Sequence, residues 1–78
     1  MPKVPRDADP RRVLRALRRL GFEVVGVEGG HYKLRRPNDP SLSLIVPFHG
    51  KMKTGTLASI LREGRIRLET FLEVFLMP

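Results

Sequence analysis

Residues 22–47 read FEVVGVEGGHYKLRRPNDPSLSLIVP, and the fold turns on how this stretch divides. β-Branched and aromatic residues concentrate in three short segments, separated by two clusters of turn formers. Residues 22–27 (FEVVGV) are followed by Glu28-Gly29-Gly30, and two consecutive glycines suit a hairpin because they accept positive φ without a steric penalty. Residues 31–36 (HYKLRR) alternate, with Tyr32 and Leu34 on one side and His31, Lys33 and Arg35 on the other. Pro37-Asn38-Asp39-Pro40 is dense in turn residues. Residues 41–46 alternate again, Leu42, Leu44 and Val46 facing one way and Ser43 and Ile45 the other. Pro47 then ends the strand by withholding a ladder donor. Two short connections in succession predict an antiparallel three-stranded meander with one buried face.

Helical patterns flank the meander. Upstream, Asp9-Pro10 is a helix start, because Asp is a preferred N-cap and Pro is pre-organised for the first helical position. The helix is expected to run to Leu20, with Gly21 as its stop. On a helical wheel Arg11, Arg12, Arg15, Arg18 and Arg19 fall within an arc of about 120°, opposite Val13, Leu14, Ala16, Leu17 and Leu20. No acidic residue lies among the five arginines to relieve their repulsion, which points to a face meant for an anion. Downstream, residues 48–53 (FHGKMK) form a loop, and a second helix begins near Thr54 with Leu57, Ile60 and Leu61 on one side until Gly64. Lys51 and Lys53 precede it, either as two lysines on an exposed loop or as ammonium groups that act with the free helix N–H groups on a phosphate. A short final helix over residues 68–76 gathers Leu68, Phe71, Leu72 and Phe75 as a core or dimer contact. Residues 1–8 read as a flexible N-terminal arm and residues 9–78 as one domain. The predicted class is α+β, an α-β-β-β-α sandwich resembling a double-stranded-RNA-binding domain, with an extra short C-terminal helix.

Composition narrows the function. The chain has 78 residues and a formal net charge of +7; residues 1–36 hold ten Lys/Arg against four Asp/Glu, residues 37–78 only five against four. Charge of this sign and asymmetry argues for an anionic partner, nucleic acid first, an acidic protein second and a membrane surface third. Cysteine is absent, which removes disulfides, thiolate nucleophiles and Cys-ligated zinc. No apolar run approaches the roughly 20 residues of a membrane span or follows the N-terminal basic residues as in a signal peptide, so a cytoplasmic protein is expected.

Most enzyme signatures are missing: no phosphate-binding glycine pattern, no H-E-x-x-H, no serine or threonine in a nucleophile setting. Two histidines 18 residues apart do not form a metal site by themselves, and no cofactor is expected. His31 follows Gly29-Gly30 and opens a strand, so its imidazole stands at a hairpin mouth close in sequence to Lys33 and Arg35. Histidine suits proton transfer near neutral pH. Breaking RNA without metal needs that service, together with cations for the charge that develops on phosphorus.

Read together, Leu20-Gly21-Phe22, Gly29-Gly30-His31-Tyr32, Val46-Pro47-Phe48-His49, Gly55-Thr56-Leu57 with Ile60-Leu61, and Phe71-Leu72 resemble the HicA family. These are small toxins of HicA–HicB toxin–antitoxin pairs, and the likeness extends from about Pro10 to Leu76. The resemblance implies ribosome-independent cleavage of mRNA, growth arrest, and silencing by a HicB-like antitoxin that covers the active face. The family's functional histidine, in a Gly-Ser-His motif, falls on His31, with Gly30 in place of the serine. The family's Pro-x-His motif falls on Pro47 and His49, which makes His49 either a second site group or a structural residue ahead of the helix. Two readings stand. In the first the chain is a metal-independent endoribonuclease, with His31 as general acid/base, Gly29-Gly30 as the turn that positions it, and Arg11, Arg15, Arg18, Lys33, Arg35, Lys51 and Lys53 drawing in RNA. In the second it is a non-catalytic RNA-binding module, or a degenerate toxin relative, using the same basic surface.

Overall fold

The computed structural model describes residues 3–78; Met1 and Pro2 of the expected arm lie outside them. Helix α1 (Pro10–Arg19) begins where its cap predicts. The Asp9 carboxylate accepts a hydrogen bond from the Arg11 backbone N–H at 2.9 Å, and Pro10 sits in the first turn, where a missing N–H breaks nothing. The helix ends at Leu20 because Gly21 turns the chain with φ +100°. The Arg36 guanidinium donates to the freed Leu20 carbonyl, so a strand residue closes the helix end.

The meander is as expected: β1 (Glu23–Glu28), β2 (His31–Arg36) and β3 (Asp39–Pro47) form one antiparallel sheet in the order β1-β2-β3. Gly29 and Gly30 have φ of +56° and +79°, the double positive φ that a type I′ hairpin requires. Strand boundaries differ from the sequence reading at both ends of β1 and of β3, which reach Glu28 and Pro47. Phe22 precedes β1, because its N–H bonds the Leu17 carbonyl at 3.1 Å and its ring is buried. At the second hairpin Asp39 already pairs with Arg36, leaving Pro37-Asn38 as the turn. Pro40, with no N–H to give, falls where the register shifts.

One face of the sheet is closed. Leu34, Leu42, Leu44 and Val46 are buried with Val13, Ala16 and Leu17 of α1 and with Leu57, Ile60 and Leu61 of α2 (Thr54–Glu63). Helix α3 (Leu68–Phe75) packs against α1. Phe71 is fully buried and stacks on Phe75 with ring centroids 5.1 Å apart, so this aromatic stripe completes the core. The end of the N-terminal segment is tied down as well: Ala8 exchanges backbone hydrogen bonds with Met52 at 3.1 and 2.8 Å, and both side chains are buried. No helix among the described residues is long and apolar enough to cross a membrane. The other sheet face is left to solvent, and it carries His31, Lys33, Arg35, Ser43 and Ile45.

Candidate active site on the open sheet face

Strand β2 sets the first element of the site. Alternation sends Leu34 into the core and His31, Lys33 and Arg35 outward. The type I′ turn places His31 first on its strand, where its Nδ1 lies 3.1 Å from the Gly29 carbonyl oxygen. A carbonyl only accepts, so Nδ1 carries the proton in this contact and Nε2 of the neutral ring keeps its lone pair for solvent or substrate. His31 and Lys33 share a shallow concavity with Glu28, Val27 and Ile45. Glu28, which pairs across the hairpin with His31, escaped the sequence reading. Its signal was the two-residue turn, which puts the flanking residues on one face. Arg35 lies on the same face, opposite Ser43 and Glu23.

The second element arrives from the far end of β3. Pairing of His31 with Pro47 brings the 48–50 loop to the hairpin turn. The Phe48 N–H donates to the Gly30 carbonyl at 2.8 Å, and the Phe48 ring packs on Tyr32 with centroids 4.3 Å apart. With Phe48 held on both counts, His49 falls beside His31: the imidazole centroids are 5.1 Å apart in an edge-to-face arrangement. His49 also lies directly over Gly30. A Cβ built on Gly30 would stand 2.5 Å from His49 Cε1 and 3.1 Å from Nε2, so this ring position exists only because residue 30 has no side chain.

The expected arginine face divides in two. Arg12 donates to the Phe75 carbonyl at 3.2 Å and lies 4.3 Å from the centroid of its ring. Arg19 donates to the Val74 and Pro78 carbonyls at 3.1 and 3.0 Å. These two therefore clamp the C-terminal end of α3, where carbonyls lack helical partners. Arg11, Arg15 and Arg18 line a separate shallow groove with Leu14 and Arg19. Arg11 is 4.0 Å from Asp9 in an exposed pair, which holds it weakly. Lys51 and Lys53 are exposed ahead of α2, whose first turn has no side-chain cap from Lys53. Neither lysine lines the concavity of His31 or the arginine groove. Among the described residues no three His, Asp or Glu side chains gather as a metal cluster.

A family model described as the HicA toxin of bacterial toxin–antitoxin matches residues 10–66. The chain belongs to the HicA toxin family. The match opens at Pro10, the first residue of α1, and closes at Ile66, so it takes in α1, all three strands, both histidines and α2. Helix α3, with the Phe71-Leu72 of the expected likeness, lies beyond it. No curated protein matches the chain. Within this HicA chain the described geometry joins one exposed imidazole pair, a lysine and a carboxylate on one open face, with a second basic groove on α1.

Proposed function

We propose that this HicA chain is a toxin that cleaves mRNA in the cytoplasm as a metal-independent endoribonuclease, with His31 as its general acid/base. The single observation that supports this most is the setting of His31. Its ring is exposed on the open face, its tautomer is held by the Gly29 carbonyl, and Lys33 stands on the same strand face. The chemistry needs no other reactant. The 2′-oxygen attacks the adjacent phosphorus, the P–O5′ bond breaks, and the products are a 2′,3′-cyclic phosphate and a 5′-hydroxyl. One base must take the 2′ proton, one acid must supply the 5′ proton, and cations must stabilise the charged phosphorane. Lys33 and Arg35 supply positive charge on the open face, and Lys51, Lys53 and the separate α1 groove of Arg11, Arg15 and Arg18 attract the RNA backbone. A HicB-like antitoxin neutralises the toxin by covering the open sheet face, where Ile45, opposite Lys33, is 55% exposed among the basic residues.

Purified wild type and His31→Ala are incubated with RNA in EDTA. Cleavage by the wild type and none by His31→Ala is expected. Binding without cleavage by either protein would replace this reading with a non-catalytic RNA-binding module, the alternative that Gly30 in the serine position favours. Equal cleavage by both would move the activity away from His31.

A further inference from the structure

We propose that His49 is the second proton-transfer group of this site, the general acid opposite His31 as general base, and that Gly30 is what admits it. The inference rests on the ribonuclease reading above. Three observations lead to it. The two imidazoles stand 5.1 Å apart, edge to face, and both are exposed on the same side of the hairpin mouth. That distance lets one scissile phosphate meet both rings. The Gly29 carbonyl can only accept, so His31 donates to it through Nδ1; in the neutral ring Nε2 is then the free acceptor that a general base needs. A base alone leaves the 5′-oxygen to depart as an alkoxide, so a donor is required, and His49 is the titratable group whose ring meets His31.

His49 is also built into position. Phe48 is held by its bond to the Gly30 carbonyl and by its ring on Tyr32, and Gly50 turns the chain away at once with φ +59°. Its ring then occupies the volume that a side chain at position 30 would fill. The absent serine is thus replaced in space by an imidazole from another strand end. In one turnover His31 Nε2 takes the 2′-hydroxyl proton while protonated His49 gives a proton to the 5′-oxygen. The two rings end with their protonation states exchanged, and solvent resets them. The charged groups beside His31 in its concavity are Lys33 and Glu28 on the hairpin.

The test compares wild type, His49→Gln and His31→Gln on RNA and on a uridine 3′-(4-nitrophenyl phosphate), whose leaving group departs without a proton. His49→Gln should slow RNA cleavage about 10²–10⁴-fold, lose the fall in rate at high pH, and regain most of its rate on the nitrophenyl ester. His31→Gln should be slow on both substrates. Equal losses for His49→Gln on both substrates, or a wild-type rate on RNA, would overturn the assignment while leaving the ribonuclease intact. A wild type that cleaves neither substrate would overturn the ribonuclease reading and this inference with it. Circular dichroism of His49→Gln, an exposed substitution, separates a chemical loss from a folding one.

Discussion

At the scale of single residues, the decisive feature is an absence of atoms. Gly30 combines φ +79° with a ring lying where its Cβ would be, whereas Gly29, at φ +56°, has nothing within 4 Å of a built Cβ. Alanine at either position pays the left-handed penalty of about 1–2 kcal/mol, which in a domain this small lowers Tm by at least about 4 °C. Only Gly30→Ala must also displace His49. Gly29→Ala is therefore expected to melt earlier yet keep the His31–His49 contact, and Gly30→Ala to melt earlier and lose it. Imidazole NMR shifts of the two histidines report the contact directly, and an unmoved His49 in Gly30→Ala would show that the ring is not seated over residue 30. This part of the site was only half legible in the sequence. His31 announced itself through the Gly-Gly turn before it and the alternation after it. In the sequence alone His49 stands between a chemical and a structural role, because a separation of 18 positions from His31 gives no distance until β2 pairs with β3.

At the scale of elements, Arg12 and Arg19 of α1 hold α3 while Arg11, Arg15 and Arg18 make no bond to it, and substitutions should separate the two sets. Arg12→Ala removes a charge-assisted hydrogen bond and a cation–π contact with Phe75, worth about 1–3 kcal/mol together. It should lower the urea midpoint and leave RNA affinity nearly unchanged. Arg15→Glu with Arg18→Glu should do the opposite: stability within about 0.5 kcal/mol, weaker RNA binding and a flatter dependence of log K on log salt. An unchanged salt slope would mean that this face does not meet the phosphate backbone. The second hairpin has its own pH signature. The Ser41 hydroxyl donates to the Asp39 carboxylate at 2.5 Å, and this bond, helped by the Ser41 N–H and by Arg65 and Arg36, holds the Asp39 carboxyl below its usual range. A depressed carboxyl adds its share of stability above the unfolded-state value and loses it as pH falls through the folded one. Ser41→Ala should move the Asp39 titration upward by NMR; no movement would remove Ser41 as the cause. Composition marked β1, and periodicity made the other five elements visible, since helix and strand place apolar residues at different spacings. It could not divide one arginine arc into clamp and contact, because that division depends on where α3 ends.

At the scale of the whole molecule, one core serves everything, and α3 is part of it although the family match stops at Ile66. A 78-residue chain has only about 4–12 kcal/mol of net stability to lose. Phe71 is fully buried against Phe75, and its helix is latched by Arg12 and Arg19 to the same α1 that packs under the sheet. Phe71→Ala should therefore cost about 3–5 kcal/mol, a fall in Tm of more than about 10 °C, comparable to the whole margin at its lower end. The consequence reaches the site through geometry rather than contact. Neither histidine touches α3, yet both are positioned by the pairing of His31 with Pro47 and by Phe48 on Tyr32, and that strand register holds only while the inner sheet face is covered. Near the melting point RNA cleavage by Phe71→Ala should fall in step with the folded fraction, while well below it the rate per folded molecule should match wild type. A rate that drops at temperatures where circular dichroism still reports full structure would instead place α3 in the chemistry of the open face.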